Sequence, residues 1–147
     1  MRTLTQKTDA FQSLAARYNN SSHSQKPAPG RSIIYGAILH SSTGKYALVQ
    51  GRLTGKWSFP KGHVNRFETP FECVGREAAE EVGVDSLPSP QRGIPLRIGY
   101  YYLFETASEI TLSPRDSKEV VQAGWFSPEE MRNMNLNIDA STFVKAM

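Results

Sequence analysis

The sequence predicts an α/β fold in which a mixed β-sheet is sandwiched between α-helices, and three observations carry that expectation. One amphipathic helix with clear start and stop signals lies at the centre of the chain, in TPFECVGREAAEEVG. Runs rich in β-branched and aromatic residues stand on both sides of it. A second helix start, at Ser127, follows the last of those runs. The 147 residues suit one domain with its own core and are too few for two ordinary ones.

Residues 1–30 hold few large apolar side chains. Phe11, Leu14, Ala15 and Tyr18 have helical spacing, and NNSSHSQKPAPG after them has the composition of a linker. The first 30 residues therefore read as a helical or flexible extension, with the compact domain spanning 31–147. SIIYGAIL and YALVQG read as strands separated by the turn-prone SSTGK, for which a hairpin is the simplest connection. The central helix comes next, followed by the long aromatic strand LRIGYYYLFE and the shorter EVVQAGWF. In the former, Tyr100, Tyr102 and Phe104 alternate with Tyr101 and Leu103, so one face could stack a base while the other fills the core. Ser127 as N-cap, Pro128 in the first helical position and Glu130 three residues after the cap start the last helix.

Composition excludes several classes. No apolar run approaches the length of a membrane span, and MRTLTQKTDAFQSL lacks the apolar core of a secretory signal. Cys73 is the only cysteine, so no disulfide forms within the chain, which fits a cytosolic or nuclear home. The net charge is only +3, but it is unevenly spread. No acidic residue occurs between Asp9 and Glu68, an interval that holds Arg17, Lys26, Arg31, Lys45, Arg52, Lys56, Lys61 and Arg66. A positive surface set against an acidic cluster suits a polyanion held near bound cations.

The central helix opens with a T-x-x-E capping box, Thr69 to Glu72, with Pro70 between them, and Gly83 can close it. Phe71, Val74, Ala78 and Val82 share one face for burial against the sheet, with Gly75 allowing close approach. Glu77, Glu80 and Glu81 stand at i, i+3 and i+4, which places them together on a different face. Like charges at that spacing destabilise a helix by about 0.2–0.5 kcal/mol per pair. Arg76, four positions before Glu80, can pair with one of them and leaves two; a divalent metal could use all three, and hard carboxylate oxygens favour Mg²⁺ or Mn²⁺. A glutamate-rich solvated helix face is the competing reading of this segment by itself.

The flanking residues decide between them. From Gly62 to Val84 the chain reads GHVNRFETPFECVGREAAEEVGV. This resembles the Nudix box, with Gly62, Glu68, Arg76, Glu77, Glu80, Glu81, Gly83 and Val84 at the required spacing, and Ala78 smaller than the usual aliphatic residue. The resemblance implies a Nudix fold over residues 31–147 and hydrolysis of a nucleoside diphosphate linked to another group, with Mg²⁺ or Mn²⁺ as cofactor. It implies that Glu77, Glu80 and Glu81 are metal ligands, that the Gly62 carbonyl completes the site, and that Arg76 and Glu68 orient the glutamates.

Upstream, WSFPKGHVN, YGAIL and LVQG are similar to the catalytic domain of mRNA-decapping Nudix enzymes, and loops of this kind also occur in compact relatives from large DNA viruses. The resemblance implies that Lys61 contacts substrate phosphate, and that Glu119, six residues before Trp125, serves as general base and metal ligand. Arg52, His63 and Tyr102 join Lys61 as expected substrate-binding residues, with capped RNA or a nucleotide polyphosphate as the partner. Two departures stand out. Decapping enzymes carry an N-terminal helical domain and a basic RNA-binding helix, for which this chain has no room, and His63 replaces their usual lysine, as in diadenosine tetraphosphate hydrolases. A hydrolase of dinucleoside polyphosphates or diphosphoinositol polyphosphates is thus the second expectation, and a silent binding module, against which the intact glutamate set argues, is the third.

Overall fold

From Ile34 onward the strand propensity of the sequence becomes a single sheet; the computed structural model describes residues 34–147. The helical spacing at Phe11–Tyr18 and the linker after it lie outside the described residues. The elements are β1 (Ile34–Ser41), β2 (Tyr46–Gly51), β3 (Trp57–Ser58), β4 (Lys61–His63), α1 (Pro70–Val82), β5 (Arg92–Pro95), β6 (Gly99–Thr106), β7 (Val120–Phe126), α2 (Pro128–Arg132) and α3 (Ile138–Lys145). The short strands β3, β4 and β5 were not expected, since two to four residues carry too little periodicity to be read.

The strand order is β3-β2-β1-β6-β5, with β4 added on β1 and β7 on β2. β1 and β6 run parallel along their whole length, from Ile34 opposite Gly99 to Ser41 opposite Thr106. The expected hairpin holds only at its turn, where His40 faces Tyr46. Beyond that point β1 pairs with β4 and β2 pairs with β7. Phe59 and Pro60 lie buried between β3 and β4, and the Pro60 carbonyl accepts a hydrogen bond from the Ala37 N–H at 2.9 Å. Lys61 and Gly62 are thereby fixed at the edge of β1.

Alternation along the strands separates two cores. Ala37, Leu39, Ala47, Val49, Tyr102 and Phe104 face α1, where Cys73, Val74, Ala78 and Val82 close over them. Ile38, Leu48, Phe59 and Tyr101 face the other way, against Met131 of α2 and Ala140 and Val144 of α3. The sheet is therefore covered by helices on both faces, as the sequence predicts. Trp125 is structural: its indole N–H donates to the Ile110 carbonyl at 2.8 Å. Trp57 meets the Phe126 ring edge-on, 4.9 Å between centroids.

The capping boxes form at both expected helix starts, Thr69 with Glu72 and Ser127 with Glu130. Gly83 ends α1 at φ +75°, where a side chain would be strained and would also strike the Ser113 backbone. Two expectations for α1 are corrected. Phe71 is turned to the helix margin, 36% exposed with its ring edge on Tyr102, and Cys73 takes the buried place. Gly75 faces open space, so no close approach depends on it.

Asp139 is the polar tie between α3 and the sheet. It is buried, and its carboxylate accepts from the Ile98 and Gly99 N–H groups and the Tyr101 hydroxyl at 2.8–2.9 Å. This holds the start of β6 and pushes the Tyr101 hydroxyl well above its ordinary pKa, through burial first and the Asp139 charge second. Replacing Asp139 by Ala leaves these donors without an acceptor and should lower unfolding stability by roughly 2–5 kcal/mol in urea titrations. Asp139→Asn, which keeps one acceptor oxygen, should lose less; equal stability of wild type and Asp139→Ala would mean the tie is redundant.

Candidate active site

The buried side of α1 runs through Pro70, Cys73, Val74, Glu77, Ala78, Glu81 and Val82. Glu77 and Glu81 therefore lie on the stripe that faces the sheet and its loops, and only Glu80 stays on the solvent side. This corrects the expectation that the three glutamates share a face apart from the core. Both buried carboxylates meet the β4 strand: a Cβ built on Gly62 would overlap the Glu77 carboxylate, and the Lys61 N–H donates to Glu81 Oε1 at 2.9 Å. A side chain at 62 would displace the Glu77 carboxylate from this position.

Arg76 organises the rest. Its Nε and Nη2 donate to the two oxygens of Glu68 at 2.7 and 3.0 Å. Nη1 donates to Glu77 Oε1 at 2.8 Å and Glu80 Oε2 at 3.2 Å, and Nη2 also reaches the His63 carbonyl at 3.0 Å. The expectation of one ion pair with Glu80 understates the role, because a planar fork of donors can serve several oxygens at once. The fork holds the Glu68 carboxyl below its ordinary pKa. The Cys73 thiol, packed against the Gly62 carbonyl, is pushed up to about 12 by burial and is no nucleophile.

Burial dominates the electrostatics of the other two carboxylates. Desolvation raises Glu77 to about 7 although Arg76 opposes the shift, and the charges of Glu80 and Glu119 raise it further. Desolvation also raises Glu81, to about 8, with the Lys61 N–H and ammonium opposing and Glu77 and Glu119 adding. Both groups are thus short of positive charge.

Glu119 sits exposed in the turn before β7, with its charge felt by both buried glutamates. The segment before it, which resembles an ordinary polar loop in sequence, closes the C-terminal end of α1. Ser113 N–H donates to the Val82 carbonyl at 2.8 Å, and the Arg115 and Asp116 N–H groups donate to the Glu80 carbonyl at 2.9 and 3.0 Å. Arg52 braces the same turn, its N–H on the Glu119 carbonyl at 2.8 Å and its Nε on the Ser117 carbonyl at 3.0 Å. That bracing role, like the cap on α1, has no local signature in the sequence.

Of the expected substrate-binding residues, Lys61 is half-buried beside Glu81, and Arg52 and His63 are exposed. Tyr102 does not join them. It is 1% exposed and packed beneath α1 with Phe71 and Tyr100, so its ring fills the core and is closed to a base.

The hard oxygens of Glu77 and Glu81, with the Gly62 carbonyl nearby, suit a divalent cation: two desolvated carboxylates lacking positive charge are the donor set that Mg²⁺ or Mn²⁺ takes. Among the described residues no three His, Cys, Asp or Glu side chains form a ready metal cluster. Arg76 Nη1 stands between Glu77 and Glu80 and occupies an oxygen of each. The carboxylates fit such an ion chemically, and Glu80 is the more exposed, joined to Arg76 at 3.2 Å against 2.8 Å for Glu77.

The NUDIX domain model matches residues 30–147. The mRNA-decapping enzyme subunit 2 of Saccharomyces cerevisiae (strain YJM789) is 30% identical over 97 residues, covering 61% of this chain and 10% of that protein. The chain thus spans a small part of that relative's length. A bifunctional NMN adenylyltransferase/ADP ribose pyrophosphatase from Francisella tularensis, solved with AMP and a Mn ion, has a TM-score of 0.68 at 15% identity, over 93% of this chain and 46% of that one. A Caenorhabditis elegans Ap4A hydrolase, solved as a binary complex, has a TM-score of 0.57 at 16% identity, over 77% of this chain and 93% of that one. At those identities the likeness is one of fold. With a family model running from residue 30 to the last residue of the chain, and a glutamate helix set on a glycine-bearing loop beneath it, the chain belongs to the Nudix family.

Proposed function

We propose that this Nudix hydrolase is a divalent-metal-dependent mRNA-decapping enzyme, which cuts the triphosphate bridge of capped RNA to release 7-methyl-GDP and RNA with a 5′-monophosphate. The observation that carries the substrate is the 30% identity to the yeast decapping subunit. The basic interval supports it through Arg52, which braces the Glu119 turn, Lys61, whose N–H meets Glu81, and Arg66 in the loop before α1. No helix among the described residues is long and apolar enough to cross a membrane.

In this reading Glu77, Glu81 and the Gly62 carbonyl would hold the cation, with Glu80 as a further ligand once freed from Arg76. A bound Mg²⁺ or Mn²⁺ supplies charge neutralisation at the pyrophosphate oxygens and acidifies an attacking water. The chain does the remainder. Arg76 and Glu68 keep the carboxylates in place, Lys61 offers a point charge to a phosphate, and Glu119, exposed in its turn, takes the proton from the water. Arg52 fixes the Glu119 turn and presents the rest of its guanidinium to the phosphates.

Buried carboxylates with raised pKa values make metal binding and pH act together. Because Glu81 keeps its proton up to about 8 when folded and has an ordinary value of 4.5, its contribution to stability is complete below about 4.5. It is lost as pH rises through 8. The melting temperature of metal-free protein should therefore fall between pH 5 and 8, and Mg²⁺ should restore it most at the alkaline end. Glu81→Gln should flatten this dependence and abolish turnover at saturating Mg²⁺ while the fold persists. Wild-type turnover in that variant would sink the metal-site reading.

Glu119→Gln tests the base. The maximal rate should fall by about 10²–10⁴-fold with little change in KM, whereas a change confined to KM would assign Glu119 to substrate binding.

For the substrate, cleavage of long capped RNA should exceed that of cap dinucleotide and should weaken steeply with salt, because phosphates beyond the cap meet Lys and Arg side chains. Both substrates at two salt concentrations, with the released nucleotide identified by chromatography, decide this. Equal or better cleavage of free dinucleoside polyphosphate would instead favour the hydrolase that His63 suggests.

A further inference from the structure

The loop between β4 and α1 carries a side chain that neither the fold nor the reaction accounts for. Phe67 has φ +67°, and among the described residues no other non-glycine residue has a positive φ. The residue is also 91% exposed. Each feature opposes stability: an L-residue in the left-handed region crowds its Cβ against a carbonyl, and a phenyl ring in water buries nothing. Glycine or asparagine would serve the backbone better.

The loop does not need the ring to keep its shape. Glu68 N–H donates to the Asn65 carbonyl at 3.0 Å, and Asn65 N–H donates to Glu68 Oε1 at 2.9 Å. Both oxygens of Glu68 are then fixed on Arg76. One face of the Phe67 ring meets Arg66, whose guanidinium carbon lies 5.0 Å from the ring centroid. With the residue 91% exposed, the opposite face is open.

We propose that Phe67 is a stacking platform for a nucleobase of the substrate, backed by Arg66 and set at the rim of the active site. Position argues for it. Glu68, the next residue, shares Arg76 with Glu77 and Glu80, so the ring rides on the same braced unit as the carboxylates proposed to hold the cation. Chemistry argues for it as well, because an open aromatic face offers sequence-tolerant stacking and the adjoining cation suits a phosphorylated ligand. A protein partner would need a contiguous apolar patch, whereas the neighbours Asn65, Arg66 and Glu68 are polar. The inference rests on the nucleotide-hydrolase reading of the site and adds the residue that grips the base.

Phe67→Gly separates binding from folding, since it removes the ring and relieves the backbone together. Its melting temperature should rise, by about 2–4 °C. Its affinity for GDP with Mg²⁺, measured by calorimetry, should fall about 5- to 100-fold, the range of a lost base–aromatic stack. Affinity for inorganic pyrophosphate, which has no base, should stay within twofold of wild type. Phe67→Trp should retain GDP binding and Phe67→Leu should not. Equal GDP affinity in wild type and Phe67→Gly, a parallel loss of pyrophosphate binding, or no GDP binding by the wild type would each overturn the platform. Failure of the wild type to cleave capped RNA would instead remove the decapping assignment, and the GDP comparison would still decide the role of Phe67.

Discussion

The site depends on one guanidinium. Arg76 gathers Glu68, Glu77, Glu80 and the His63 carbonyl around a single plane, and so joins the β4 strand, the loop after it and α1 into one unit. A lysine could not do this, because its ammonium lacks the fixed fork that reaches both oxygens of Glu68 while holding Glu77. Without that plane, Glu77 would be a buried carboxylate with no cation beside it, and the loop that carries Gly62 and Phe67 would lose its tie to the helix. The constraint runs the other way as well. A side chain at Gly62 would push the Glu77 carboxylate off the place in which Arg76 holds it.

This unit leaves a deficit of positive charge. Burial raises both Glu77 and Glu81; Arg76, one charge shared among three carboxylates, only partly offsets it at Glu77 and does not touch Glu81, which is raised further. A helix selected only for stability would put apolar side chains at 77 and 81, where burial is already provided by the sheet. Two desolvated acids in the buried stripe of an amphipathic helix are a local conflict of the kind that marks function. Phe67 is a second such conflict, in backbone rather than charge, and the two sit on the same braced loop and helix.

Much of the fold was legible because its signals are local. The capping box at Thr69, the proline at 70 and the glycine at 83 bound α1 where the sequence places it. The two faces of β1, β2 and β6 follow from simple alternation. What could not be read depends on partners distant in sequence. Glu77 and Glu81 look like part of a glutamate face until β4 is seen to lie over them, and Tyr102 looks able to stack a base until α1 is seen to cover it. β3, β4 and β5 are too short for any pattern, and are strands only because long neighbours accept their hydrogen bonds. Spacing therefore anticipates that Gly62, Glu68, Arg76, Glu77 and Glu80 lie together, while the burial and mutual tuning of the carboxylates could not be read from it.

Glu119 shows how such a distant residue can still be placed firmly. It comes from an exposed turn, where side chains ordinarily wander. Here the turn is fastened at two points that are themselves part of the site's frame. The last carbonyls of α1 would be unsatisfied at the helix end, and the N–H groups of Ser113, Arg115 and Asp116 meet them. Arg52, at the end of β2, then holds the Ser117 and Glu119 carbonyls. The helix that carries Glu77 and Glu81 thus positions the approach to Glu119 through its own backbone, and the strand that flanks the site finishes it. Movement of α1 would therefore carry the Glu119 turn with it, which keeps the Glu119 charge close to the two buried carboxylates that feel it.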